Sequence, residues 1–373
     1  MDQRRVSHLL EKSRRSAISK GPSMVSNKLP EAGISVLMRS YEVSGSSVAF
    51  LVLYVDDILL IGNDVKMLGD TKAWLSTQLS MKDLGEASYI LCIKIIRDRS
   101  KRMLGMTQTL YVEKVLKRFK MENSKRGFLP VRHGVKMSKK QSPKTDEELR
   151  KMFDIPYASA VGRIQYVVQC TRPDVAFALS VTSRYQACAG KAHWTAVKTI
   201  LKYLRRTKDM FLIYSGGELI LERYSDASFQ SDEDDAKSQS GFVFKPNGGV
   251  VAWKSSKQDT TTGSTTEAEY IAASEAAKEA VWMKNYIQEL GVVPSIAEPV
   301  VIFCDNNEAI AQAKEPRSHH RSKHILRRYH LLREMVGRGD VRMDRVTSAE
   351  NMANPLTKPV SQIAHAQHLG RWV

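Results

Sequence analysis

Three acidic residues stand where strands and helices meet. Asp226 closes the run LERYSD, Asp305 closes VVIFCD and starts a short helix, and Glu269 falls one turn into a helix opening at Ser264. In a mixed sheet with helices packed on it, such positions can converge at one edge. Clustered carboxylates repel and are costly to ionise together unless divalent cations neutralise them. Magnesium prefers oxygen ligands of this kind and keeps several waters. Two such ions can activate a water and stabilise the leaving oxygen of a phosphodiester. Taken singly, each acid has a plainer reading: it is solvated, or it caps the next helix. Asp56 and Asp57 split SSVAFLVLYVDDILLIGND into two β-rich apolar runs, which reads as a hairpin with the carboxylates at its tip. His319, His320, His324 and His330 raise the question of zinc, His320 and His324 being four apart on one helix face, but no Cys or acid completes a tetrahedral set nearby. With Arg321, Lys323, Arg327, Arg328 and Arg333, that helix suits phosphate contacts, or a solvated basic face.

The elements that must position these groups follow from pattern. Residues 1–30 are basic with little apolar periodicity and read as a poorly ordered arm. After the acidic hairpin come a helix over 65–79, a strand pair in SYILCIKIIRD and RMLGMTQ, and a basic amphipathic helix over 109–121. Residues 123–148 are rich in Ser, Lys, Pro and Gly and read as a linker. Helices follow over 157–206, broken at Arg172-Pro173. From about 211 the pattern changes to strands FLIYS, ELILERYSDASF, SGFVFK and GVVAWKSS, the last two flanking the turn Pro246-Asn247-Gly248-Gly249. Ser264-Thr265-Thr266-Glu267 is a capping box that opens a long helix ended by Gly291. PVVIFCD and DVRMDRV are further strands. Strands first, then alternating helices and strands, define an α/β domain of about 140 residues.

Composition limits the function classes. Hydrophobic residues make up 42%, enough for packed cores and against global disorder. With 57 Lys and Arg against 40 Asp and Glu, the net charge is +17, which points to a polyanionic partner. Four cysteines at 92, 170, 188 and 304 have neither metal-knuckle nor redox-pair spacing. The longest apolar run, Val48 to Val55, is too short to span a bilayer. No signal peptide is visible, so an intracellular site in cytoplasm or nucleus is expected, with no membrane partner.

The motifs YSDASF, STTEAEYIAASEA, FCDNNEAIA, RSKHILRRYHLLRE and ANPLTKP, in this order, resemble the ribonuclease H domain of copia-type LTR retrotransposon polyproteins. LVLYVDDILLIGND, MKDLGEASYIL, TQTLYVEKVLKRF, YASAVGRIQY and TRPDVAFALS resemble the C-terminal part of the same family's reverse transcriptase and its connection. The likeness covers roughly residues 48–360. It implies α/β and α+β architecture: a truncated reverse-transcriptase palm and thumb, then a ribonuclease H-like mixed sheet with flanking helices. The expected division is a poorly matched basic leader at 1–47, palm and thumb at 48–128, linker and helical connection at 129–210, the ribonuclease H-like domain at 211–360 and a tail at 361–373.

The resemblance also implies roles. Asp226, Glu269 and Asp305 match three of four acids that bind two Mg²⁺ ions and hydrolyse the RNA strand of an RNA–DNA hybrid. Glu267 is assigned to capping. The fourth position reads Asn354, an amide in place of a carboxylate, so the second metal should be weak. Asp56, with Asp57 beside it, matches a polymerase metal ligand, but no upstream palm aspartate is recognisable, so this site reads as vestigial and DNA synthesis by this chain alone is not expected. Other Pol-derived chains are conceivable partners. Lys323, Arg327, Arg328 and Arg333 are expected at nucleic acid. Cys92 stands where the family usually has Gly, which implies close approach of backbones or of nucleic acid there. Tyr111, Phe119, Trp194 and Tyr203 are expected in the core rather than stacked on bases. The palm-like stretch 48–128 is expected to be unstable alone. The alternative reading of the whole is a catalytically inactive, nucleic-acid-binding remnant of a retrotransposon.

Overall fold

The computed structural model describes residues 24–29, 34–39, 47–54, 56–216, 221–246, 248–289, 299–315 and 329–372. The chain divides into two compact units, residues 1–87 with 285–294, and residues 88–284 with 295–373.

In the first unit, β1 (Met24–Leu29) and β2 (Ile34–Arg39) form an antiparallel hairpin, within the stretch expected to be a leader. The second hairpin is the one expected: β3 (Ala49–Tyr54) and β4 (Asp57–Gly62) flank the Asp56-Asp57 tip. Burial alternates along β3, so Leu51 and Leu53 face inward against Leu75 of the helix Val65–Gln78. That helix starts at Asp64, whose carboxylate accepts from the backbone N–H groups of Lys66 and Met67.

The second unit opens with β5 (Tyr89–Ile90), β6 (Ile93–Asp98) and β7 (Met103–Thr107). Between β5 and β6 lies a two-residue turn, with Leu91 at φ 51° and Cys92 at φ 59°. Hairpin turns with both central residues left-handed favour glycine. The expectation of one continuous strand through YILCIKI is thus corrected. Glycine at position 92 fits the positive φ rather than a crowded backbone. The helices Thr109–Arg118, Asp146–Phe153, Tyr157–Cys170, Ala176–Ser183 and Lys191–Arg206 follow. Next come β8 (Leu212–Ser215), β9 (Leu221–Ser228), β10 (Gln239–Pro246) and β11 (Ala252–Lys257), then the helix Thr265–Glu289. β12 (Val300–Cys304), the helices Asn307–Lys314 and Leu331–Gly337, β13 (Val341–Arg345) and the helix Gln362–Trp372 complete the chain.

The main sheet has the order β11-β10-β9-β12-β13. Its first three strands are antiparallel neighbours, and β12 runs parallel to both β9 and β13. The strand order with an antiparallel meander beside parallel strands is the ribonuclease H-like arrangement. Alternation along β10 gives the sheet two covered faces. Phe242 and Phe244 pack with Tyr270, Ile271 and Ala277 of the long helix. Val243 faces the other way, into a core with Val161, Ile164, Ile200 and Leu204 of the connection helices.

This second core crosses the expected boundary at 210. β8, grouped by sequence with the ribonuclease H-like segment, pairs instead with β7 in a second sheet. The Trp253 indole N–H donates to the Val168 carbonyl at 3.1 Å. The segment read as a linker is fastened down. The backbone N–H of Gly127 donates to the Lys202 carbonyl, and that of Lys139 to Asp234, both at 2.9 Å. The expected tail is a helix whose Trp372 is fully buried in the same core. Tyr203 and Phe119 are buried there as expected, with Tyr111 and Trp194 packed against it.

Candidate active site

The register of the sheet brings two of the acids together. Tyr224 of β9 is opposite Phe303 of β12 on parallel strands. Two residues further on, on the same faces, come Asp226 and Asp305. The third comes from the long helix. Its start is set by Ser264, whose hydroxyl accepts from the Glu267 N–H at 3.2 Å. Glu267 turns back to accept from the Gly263 N–H at 2.8 Å, as its capping role requires. Glu269 is thereby free to face the sheet, where the backbone N–H of Ala227 donates to it.

Each carboxylate has its own support. Thr357 donates its hydroxyl to Asp226 Oδ2, and Lys358 Nζ lies 3.6 Å from the same oxygen. Ser348 Oγ donates to Asp305 Oδ2 at 2.5 Å. Asn354 sits between these supports: its side-chain N–H donates to the Ser348 carbonyl, and its backbone carbonyl lies 3.1 Å from Thr357 Oγ1. The turn that carries them is stapled to β9 by Asn351, whose side chain donates to the Ser225 carbonyl at 2.9 Å. Gly241, opposite Asp226 on β10, makes room for this turn. A Cβ there would stand 2.8 Å from both Leu356 Cβ and Thr357 Cγ2.

The electrostatics are those of a crowded acid cluster. Burial first, then the negative charge of Asp226 and Asp305, pushes Glu269 up to about 9. Burial pushes Asp226 up to about 6, against the pull of Lys358 and Thr357. Cys304 Sγ lies 3.9 Å from Glu269 Oε2, and burial holds its thiol protonated. Cys304, Glu269 and Asp305 bring their ligand atoms within 4.8 Å of one another. A neutral thiol is a poor ligand for a hard cation, so the oxygens of the three acids are the fitting donors. Asn354 Oδ1, buried with no hydrogen-bond partner, is a neutral fourth oxygen. Two carboxyls raised by burial, Glu269 most of all, and an orphaned amide oxygen beside them match what a divalent, oxygen-loving cation would satisfy. The donor set fits Mg²⁺.

The other expected site residues fall elsewhere. Asp56 and Asp57 are exposed at the β3–β4 tip. Lys323, Arg327 and Arg328, with His319, His320 and His324, lie outside the described residues. Arg333 is turned toward the domain itself: its Nε donates to the Gln312 carbonyl at 2.9 Å and its guanidinium lies over the Tyr270 ring. His330 packs near the same ring. Thr357 and Lys358 were in view within ANPLTKP but carried no signal of contact with Asp226. Gly241, Ser348 and Cys304 gave no signal either.

A family model described as reverse transcriptase (RNA-dependent DNA polymerase) matches residues 31–133, beginning inside the expected leader. A retrovirus-related Pol polyprotein from transposon TNT 1-94 of Nicotiana tabacum is 44% identical over 317 residues, 85% of this chain and 24% of that protein. A putative transposon Ty5-1 protein of Saccharomyces cerevisiae is 30% identical over 233 residues, 62% of this chain and 73% of that protein. A solved RNase H1 from Halobacterium salinarum NRC-1 overlaps 37% of this chain and 93% of its own at 19% identity and TM-score 0.26, too loose to add to the strand order itself. Reverse-transcriptase sequence followed by a ribonuclease H-like sheet defines the class: the C-terminal part of a retroelement polyprotein. The chain belongs to the copia-type LTR retrotransposon Pol family. It spans about a quarter of the length of the tobacco relative.

Proposed function

We propose that the ribonuclease H-like domain hydrolyses the RNA strand of an RNA–DNA hybrid in a Mg²⁺-dependent reaction. The observation that carries this is the convergence of Asp226, Glu269 and Asp305 in a place where Glu269 is pushed far up by burial and by its two neighbours. Such a cluster is unfavourable as a bare structural feature and favourable as a cation site. Asp226, Glu269 and Asp305 would hold the ion, with the Asn354 amide oxygen as a weaker neutral donor. Bound there, Mg²⁺ would supply charge to stabilise the phosphate in the transition state and would make a water a better nucleophile at neutral pH. A water oxygen forms the new bond to phosphorus as the bond to the leaving ribose oxygen breaks, the water losing a proton to solvent and the leaving oxygen taking one up from it. The chain's own part is positioning: Thr357 and Ser348 orient the Asp226 and Asp305 carboxylates, and the Ala227 N–H orients Glu269. The net charge of +17 favours a polyanionic substrate.

Asp56 and Asp57, exposed at the β3–β4 tip, stand where the family likeness puts polymerase metal ligands. Two neighbouring acids of that unit are engaged structurally, Asp64 at a helix cap and Asp83 with Lys72. A second reading, an inactive nucleic-acid-binding remnant, is favoured by the amide at 354 and by the Lys358 charge beside Asp226.

The test is cleavage of a labelled RNA–DNA hybrid with Mg²⁺ by the full chain, beside Asn354→Asp and Asp226→Asn. Cleavage abolished by Asp226→Asn supports the enzyme. Silence from the chain but cleavage by Asn354→Asp marks a folded site disabled by one substitution. Silence from both, with hybrid binding retained, leaves the remnant.

A further inference from the structure

We propose that Lys358 is a built-in counter-ion that competes with divalent cations at Asp226 and leaves the site with one tightly held ion instead of two. This rests on the reading of the acid cluster as a cation site and extends it to the number of ions held and to what limits their affinity.

Two contacts meet at one oxygen. Lys358 Nζ lies 3.6 Å from Asp226 Oδ2, and the same oxygen accepts from Thr357. Asp226 therefore does not offer that oxygen freely to a metal. The two partners differ in solvent access: the Lys358 side chain is 41% exposed and that of Asp226 2%. A long, flexible ammonium with that much exposure can swing into water without disturbing the core, while Asp226 is fixed in β9. The backbone of Lys358 is held in place meanwhile, its N–H donating to the Asn354 carbonyl at 3.3 Å. The anchor is rigid and the charge is movable, which is what a competitive counter-ion needs.

The charge count favours a single ion. Asp226, Glu269 and Asp305 supply three negative charges when ionised, and Lys358 returns one. One divalent ion balances the remainder. A carboxylate at 354 would restore a further negative charge, and only then does a second ion have a comparable place. Asn354 and Lys358 thus act in the same direction, one by omitting a charge and the other by opposing it. Lys358 is a positioning residue in this scheme, since it touches Asp226 and no reacting atom.

Mn²⁺, as a calorimetric and paramagnetic probe, is titrated into the full chain at fixed ionic strength, with wild type compared to Lys358→Gln, Lys358→Arg and Asp226→Asn. The wild type should bind one Mn²⁺ at this site. Lys358→Gln should bind it about tenfold tighter, the scale by which removing an adjacent like charge favours a cation, and Lys358→Arg should stay within about threefold of wild type because the charge is kept. Lys358→Gln binding equally or more weakly, or a wild type holding two ions of similar affinity, overturns the counter-ion. Loss of Mn²⁺ binding in Asp226→Asn keeps the cation site whatever Lys358 does. Wild-type-like binding by Asp226→Asn removes the site reading and this inference with it. Thermal melts of each variant without metal separate misfolding from lost affinity.

Discussion

Glu269→Gln should stabilise the metal-free fold, and the gain should grow with pH. Glu269 is an acid whose folded value, about 9, lies above its ordinary value of 4.5. An acid raised on folding costs nothing while both states are protonated. As pH rises through 4.5 the unfolded carboxyl ionises and the folded one does not, so stability falls until the folded value is reached. The slope is about 1.4 kcal/mol per pH unit for one proton. Between about pH 5 and pH 7 the wild type should therefore lose roughly 2–3 kcal/mol to this group. Glutamine does not titrate, so the variant escapes that loss. Any fixed cost of seating its amide beside the Ala227 N–H shifts both pH values equally. Asp226 is also raised, but it remains in both proteins and cancels to first order. Urea unfolding in EDTA, followed by tryptophan fluorescence, measures the difference. A variant-minus-wild-type stability that is flat from pH 5 to pH 7 would refute the assignment of Glu269 to a buried, mutually repelling cluster. Added Mg²⁺ should reverse the sign at neutral pH, because the wild type offers the ion an anionic carboxylate where the variant offers only a neutral amide oxygen.

Cys92→Gly should stabilise the second unit by about 0.5–1 kcal/mol, since the relief of a left-handed residue at a two-residue turn exceeds the loss from the greater entropy of the unfolded chain; thermal denaturation reads it. Asp174→Asn should cost about 3–5 kcal/mol, because it leaves the buried Arg172 guanidinium without the carboxylate it meets at 2.7 Å; the check is a denaturant midpoint. A fragment of residues 211–373 should fail to melt cooperatively while 88–373 succeeds, because the first strips β8 of β7 and Val243 of the connection helices; circular dichroism melts of the two fragments decide it.

The site was legible because its chemistry sits at element ends that periodicity marks well. Asp226 and Asp305 end strands, and Glu269 follows a capping box whose members bond as the pattern requires. The supports were not legible, because they depend on register. Nothing in the spacing of Ser348 and Asp305, or of Thr357 and Asp226, marks them as neighbours; parallel pairing of β12 with β9 and the close approach allowed at Gly241 do so. Arg333 makes contacts that its place in the sequence does not signal, for a similar reason. A basic residue in a basic run reads as exposed, yet it stands over Tyr270 and bonds to a backbone carbonyl.

The domain boundary shows the other limit. Composition changes near 211, where helices give way to strands, and by sequence that change marks the start of a domain. Strand pairing does not respect it: β8 completes the sheet begun at β5. The TRPD motif shows why the two segments belong together. Arg172 and Asp174 form a buried pair, Tyr203 donates to Asp174 at 2.6 Å, and His365 of the last helix meets the Tyr203 hydroxyl at 3.0 Å. Burial pulls His365 down, so its imidazole is neutral at neutral pH and can share that hydroxyl without adding a second buried cation. Asp174 and His365 in turn line a small cavity with Pro355 and Lys358, the residue beside Asp226. The connection thus reaches the acid cluster through contiguous packed groups. Its helices form one wall of the ribonuclease H-like fold, and a motif that carries no chemistry of its own is explained by the need to keep that wall in place.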